Sequence, residues 1–165
     1  MDASYLSLAV RAVWTKLKAG SNVAPYMLAN NGHYFEEELT SKRPTRITKS
    51  DCPAIAMWPA LEALTILPAT NESFEVRLPL TLQIDVEETS VYTALDLYEI
   101  VMRDLWSAWK TSYFGLAGSG RPWKFEPGSG KFAKTYDGPD EQSLVAVSWR
   151  STSSMVLVFR RTLSS

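Results

Sequence analysis

Apolar side chains recur along this chain at two different spacings, and each spacing predicts a different element. Between residues 4 and 18, Leu6, Val10, Val13, Trp14 and Leu17 fall three or four positions apart, which places them on one side of an α-helix. Arg11, Lys16 and Lys18 fall on the other side. Asp2 or Ser4 can cap the start and Gly20 can end it. From Phe74 to Glu87 the spacing is two. Phe74, Val76, Leu78, Leu80, Leu82, Ile84 and Val86 alternate with Glu75, Arg77, Pro79, Thr81, Gln83, Asp85 and Glu87, the pattern of a strand with one face on a core and one in water. Fourteen residues at about 3.3 Å each would span roughly 46 Å, against a domain diameter of about 40 Å for a chain of this length. The strand is therefore expected either to bend at Pro79, which has no donor for the ladder, or to give part of its length to a neighbouring subunit.

Helical spacing returns from about Ser90 to Lys110, with Thr89 and Ser90 as N-cap candidates. Val91, Ala94, Leu95, Tyr98, Val101, Met102, Leu105 and Trp109 form the apolar stripe. Asp96, Glu99, Arg103 and Asp104 are assigned to the wet side, with Glu99 and Arg103 an i,i+4 pair. Trp106 and Trp109 imply a wide apolar face or an exposed anchor. Ala54–Trp58, between Pro53 and Pro59, predicts a short strand buried on both faces or paired at an edge. Ala60–Pro68 reads as a turn and a short strand. Leu144–Arg150 and Met155–Leu163 predict two closing strands joined at Ser151–Ser154.

Two stretches lack periodicity. Residues 20–52 hold turn formers, an acidic run (Glu36, Glu37, Glu38) and a basic cluster (Lys42, Arg43, Arg46, Lys49). Residues 111–143 are rich in Gly and Pro, with at most a short strand at Trp123–Glu126. The first is expected to be an arm or loop that orders on contact with a partner, or else a loop covered by its own domain; the second is expected to be another loop-dominated region, a long loop or arm. The sum is one α+β domain over residues 1–165, a mostly antiparallel sheet with helices on one face. Its long strand (about 74–87) is packed by the long helix (about 90–110) and the N-terminal helix (about 4–18).

Composition narrows the functional classes. The 165 residues are 45% hydrophobic, enough for a core without disulfides or metals. The net charge of −1 lacks the basic excess of proteins that grip a nucleic-acid backbone. The single cysteine, Cys52, excludes an internal disulfide and fits a reducing compartment. No stretch approaches the roughly 20 apolar residues of a membrane helix. The acidic start and the charges at Arg11 and Lys16 do not fit a secretory signal, so a cytoplasmic, unprocessed protein is expected.

Chemistry-bearing motifs are sparse, and no catalytic, cofactor-binding or metal-binding residue is expected. His33 is the only histidine and sits in an unpatterned NNGHYF segment. A Cys52–His33 nucleophile pair is the enzymatic alternative, against a plain loop histidine and a small buried thiol. Asp85, Glu87 and Glu88 could form a carboxylate-only cation site, although an acidic strand end explains them as well. Gly115-x-x-Gly118-x-Gly120 lacks the strand-turn-helix frame of a phosphate cradle, and EPGSGK fails the P-loop spacing. Lys42, Arg43, Arg46 and Lys49, with Trp123 and Lys124 in the second loop, are the candidate interface residues.

Four stretches carry a resemblance: the helix SYLSLAVRAVWTKL; DCPAIAMWP, where an acid and a proline precede an apolar strand; FEVRLPLTLQIDVEE running directly into SVYTALDLYEIVMRDLW; and the closing LVAVSWR and MVLVFRRTL. Together they cover most of the chain and resemble the tail terminator and related neck proteins of long-tailed bacteriophages. The resemblance implies a non-enzymatic homo-oligomeric ring, commonly of six subunits, at the head–tail junction of the virion. Its implied partners are the tail tube protein and the head-completion or stopper protein, with DNA passing through unbound. The glycine-rich 111–143 region is longer than that family's pattern leads one to expect. Another neck component, a stopper or a connector adaptor, fits the same pattern.

Overall fold

The computed structural model describes residues 5–35, 47–87, 90–138 and 144–162. The two patterned helices form as the spacing predicts: α1 is Tyr5–Lys18 and the long helix, α3, is Val91–Ser112. The cap candidates Asp2, Ser4 and Thr89 lie outside the described residues. Between α1 and α3 come a short helix α2 (Val23–Ala29) and strands β1 (His33–Phe35), β2 (Ala54–Pro59), β3 (Thr65–Pro68) and β4 (Ser73–Glu87); β5 (Lys124–Asp137) and β6 (Val145–Thr162) follow α3. The architecture is α+β. A sheet in the order β1-β2-β4-β6-β5, with β3 also on β4, is antiparallel at every pairing except β1–β2.

Helices α1 and α3 cover one face of this sheet. Val13, Trp14 and Leu17 of α1 and Leu97, Val101 and Leu105 of α3 bury against Leu78, Leu80, Leu82 and Ile84 of β4, Ile55 and Met57 of β2, and Met155, Leu157 and Phe159 of β6. The alternation in β4 thus assigns its core face correctly. The stripe on α3 is rotated from the expected one: Leu97 is at its centre, Leu95 is exposed, and Asp104 is buried within it.

The long strand neither bends away at Pro79 nor leaves the domain. All fifteen residues of β4 pair with β6, while β3 takes Phe74–Arg77 and β2 takes Leu80–Asp85 on the other side. Pro79 sits in the gap between β3 and β2, and its carbonyl accepts the Ala60 N–H at 2.9 Å. In a strand the N–H and C=O of one residue point the same way. The donor that Pro79 lacks would therefore face that gap, and no ladder bond is lost.

Two expected interruptions are strand instead. Ser151–Ser154 is not a turn; it runs straight through β6, paired with Thr81–Ile84. The Gly/Pro stretch PGSG is no loop either; it lies in β5, with a register irregularity between Pro127 and Gly130. The two weak segments lie beside each other: Gly130 pairs with Ser153, and a methyl on Gly128 would stand 2.0 Å from the Ser154 carbonyl oxygen. Small residues are needed where the two backbones approach so closely, and pairing on both sides of β6 overrides the local turn preference. Of residues 20–52, α2, β1 and a 3₁₀ turn at Lys49–Asp51 are ordered elements. The remainder of that proposed arm, residues 36–46, lies outside the described residues.

Candidate functional site

The helix-free face of the sheet divides into two zones at opposite ends of β4. At the C-terminal end the alternation predicts water, yet Gln83 and Asp85 are each 1% exposed. Both oxygens of the Asp85 carboxylate are hydrogen-bonded. Oδ1 accepts from Ser148 Oγ and from Arg150 Nε, each at 2.9 Å, and Oδ2 accepts from Gln83 Nε2 at 3.0 Å. Thr135 Oγ1 extends the network to Ser148 at 2.6 Å. A buried carboxylate is tolerable only when its lone pairs are satisfied and its charge is matched, and Arg150, the cross-strand partner of Asp85, supplies the match. Both Asp85 oxygens are thus engaged within the protein, Glu87 is exposed, and Glu88 lies outside the described residues. Among the described residues no cluster of His, Cys, Asp and Glu is arranged to hold a metal.

Cys52 borders this network. It is half-buried and its thiol donates to the Thr48 carbonyl at 3.6 Å. Burial, with the nearby carboxylates of Asp85, Asp51 and Glu87, pushes the thiol up to about 12, Arg150 opposing them in part. An activated nucleophile needs the reverse shift. His33 is exposed, and its Nδ1 lies 3.1 Å from the Asp51 carbonyl. These features count against a Cys52–His33 nucleophile pair. In the folded chain Cys52 should react with iodoacetamide at pH 8.5 at least about 100-fold more slowly than in urea, because the thiolate fraction differs by roughly three orders of magnitude between a free thiol and one near 12. Equal rates would refute this. Because the thiol is raised in the folded chain, its contribution to stability is full below the ordinary thiol range and drains away as pH rises toward 12.

At the N-terminal end of β4 the helix-free face is an open charged lattice. Trp123 is 44% exposed, with the Arg160 guanidinium over its ring at 4.9 Å and Lys124 Nζ at 6.0 Å. Glu126 is held by Arg77 and by Lys124, the latter at 3.1 Å. Hydrogen bonds from Lys124 and Arg77 hold the Glu126 carboxyl below the usual carboxylate range.

The interface candidates thus separate. Trp123 and Lys124 are adjacent in one cluster. Lys49 is exposed at the other end of the sheet, opening the 3₁₀ turn in which Thr48 and Asp51 cap each other. Register places these ends about eight residues apart along β4, roughly 26 Å. Lys42, Arg43 and Arg46 lie outside the described residues. The glycine motifs form no phosphate cradle: Gly115 and Gly118 follow α3 in left-handed turns, and EPGSGK is part of β5.

Sequence reasoning missed two groups. Asp104, assigned to the wet side, is a buried acceptor for the start of α2; its place three residues after Val101 and seven after Leu97 is the available signal. Trp106, Trp109, Phe125, Phe114 and Tyr113 form one aromatic cluster, with ring centroids 5.4 to 6.4 Å apart. No protein-family model matches the chain, and no curated protein matches its sequence.

Proposed function

We propose that this chain is a structural virion subunit that assembles into a ring, terminating the tail tube of a long-tailed bacteriophage and joining it to the head-side neck. The observation that carries the reading is the order of elements: an N-terminal helix, a short fully buried strand, and a long strand leading directly into a long helix laid across its core face. Three of the four stretches that carry the sequence resemblance follow that order; the fourth, LVAVSWR with MVLVFRRTL, forms the single strand β6 in place of the two strands expected. Among the described residues the sheet also keeps outer edges with no paired strand, which suits a subunit that must join copies of itself. A net charge of −1 suits a ring through which DNA slides without sticking.

Light-scattering mass of the purified full chain, alone and with purified tail tubes, tests this. A ring-sized mass, or a monomer that caps tube ends, is expected. A chain that stays monomeric and never associates with tubes overturns the proposal. Density for the chain on the connector side of the neck in an electron-microscopy map of virions would reassign it to the stopper or adaptor.

A further inference from the structure

We infer that two copies of the free chain pair through the outer faces of their α3 helices, laid antiparallel about a two-fold axis. The pair is separate from the ring proposed above, because a two-fold contact closes at two copies and this one uses no sheet edge.

Helix α3 carries two apolar stripes, and only one belongs to the core. Leu97, Val101 and Leu105 are fully buried against the sheet. A second stripe runs through Tyr92, Leu95, Met102, Trp106 and Trp109, with Glu99 the one polar residue in it, at alternating steps of three and four residues. That alternation, kept over the eighteen residues from Tyr92 to Trp109, is the seam of a coiled coil. Tyr92 is 75% exposed, Leu95 45% and Trp106 43%, and Met102 is half-buried. Apolar side chains aligned along about 27 Å of helix mark a contact surface, unlike apolar residues scattered singly. Beside the seam, Tyr98, Phe125 and Pro127 extend it into a groove between α3 and β5.

Charge selects the occupant and its direction. The residues after Leu95, Met102 and Trp109 are Asp96, Arg103 and Lys110; those before Glu99 and Trp106, on the side toward β5, are the uncharged Tyr98 and Leu105. In a parallel pair each flank meets the opposite flank of its mate. Asp96 and Arg103 would then face Tyr98 and Leu105, and Glu99 would face Glu99. In an antiparallel pair like flanks meet. With Glu99 opposite Met102 of the mate, Leu95 lies opposite Trp106 and Tyr92 opposite Trp109. Asp96 then stands within two residues of level with the mate's Arg103, about 3 Å along the axis, and the relation is repeated by symmetry. Glu99, bonded to Arg103 of its own helix at 2.9 Å, comes within one residue of level with the mate's Arg103 as well. The seam is therefore complementary to a reversed copy of itself.

Sedimentation of the full chain without tail tubes should show a monomer–dimer equilibrium. Leu95→Cys and Trp106→Cys, each in a Cys52→Ala background, are treated with a short bismaleimide alone and mixed. Cross-linked dimer is expected chiefly in the mixture, since like positions lie eleven residues apart in level, about 16 Å. Arg103→Glu and Asp96→Lys should each weaken pairing about tenfold, by turning two ion pairs into like-charge pairs. Each should leave the circular dichroism and thermal midpoint of the monomer unchanged, and mixing the two variants should restore the pair. Cysteine variants that cross-link alone as readily as mixed would mean a parallel pair and overturn the inference. A dimer with no mixed cross-link and no response to the charge variants would place the contact elsewhere and overturn it too. A free chain monomeric at every concentration also overturns it, and a ring-sized mass on tail tubes would then leave the ring reading intact.

Discussion

Asp85→Ala is expected to lower the unfolding free energy by about 3–5 kcal/mol, the usual consequence of removing one partner of a buried ion pair. The cost arises from what is left behind. Arg150 is only 16% exposed at its side chain and would lose its matched charge, while the Ser148 hydroxyl and the Gln83 amide would lose their acceptor. The methylenes of Arg150 stay in place, so its guanidinium remains in the same poorly solvated setting. Asp85→Asn keeps an oxygen acceptor and the shape, and should cost less than Asp85→Ala. Replacing Asp85 and Arg150 together by apolar residues of similar volume should recover most of the loss, because the orphaned charge is then absent. Urea denaturation at low protein concentration, where association does not add to stability, reads all three. A fall in midpoint at constant slope is expected. An Asp85→Ala variant within about 1 kcal/mol of the parent would mean that the network is not the source of stability described above.

That network also marks where the sequence stopped being readable. Helices α1 and α3 and strand β4 were legible because their apolar spacing runs uninterrupted for fourteen residues or more, long enough for one period to stand out. The helix-facing side of β4 was read correctly for the same reason. Its other side was not: Gln83 and Asp85 look like wet positions, and the residues that bury and satisfy them come from β6, 63 and 65 positions from Asp85. Spacing along one strand carries no information about such partners. The same holds for β5 and the middle of β6. PGSG and STSS each favour a turn locally; STSS becomes strand because β4 and β5 pair with it on both sides, and PGSG because β6 lies beside it. Of the candidate interface, Trp123 and Lys124 come together as neighbours. The turn and short strand expected over Ala60–Pro68 form as a 3₁₀ turn and β3, but a four-residue strand with no buried face has no alternation to show which of its sides is exposed.

Gly20→Ala is expected to destabilise the chain by about 3 kcal/mol, more than an ordinary glycine-to-alanine change near a helix end. Helix α2 has no side-chain cap of its own on Asn22. Its first N–H groups are instead met from α3: the Asp104 carboxylate accepts from Asn22 N at 3.0 Å, Val23 N at 2.8 Å and Asn22 Nδ2 at 2.7 Å. Asp104 is 6% exposed, so these bonds do the work that water would do at a surface helix start. Gly20 leaves the space this carboxylate occupies, since a methyl there would stand 2.2 Å from Oδ2 and 2.8 Å from Cγ. A short side chain pinned by three hydrogen bonds cannot yield without breaking them. The new methyl should therefore act through Asp104 and little else, and a double-mutant cycle measures that directly. Asp104→Ala alone should cost a similar amount by stranding the α2 donors. Gly20→Ala added to Asp104→Ala should then cost almost nothing further, because the clash has lost its object. Costs that simply add would show that Gly20 is required by the backbone turn between α1 and α2 rather than by the buried carboxylate of α3.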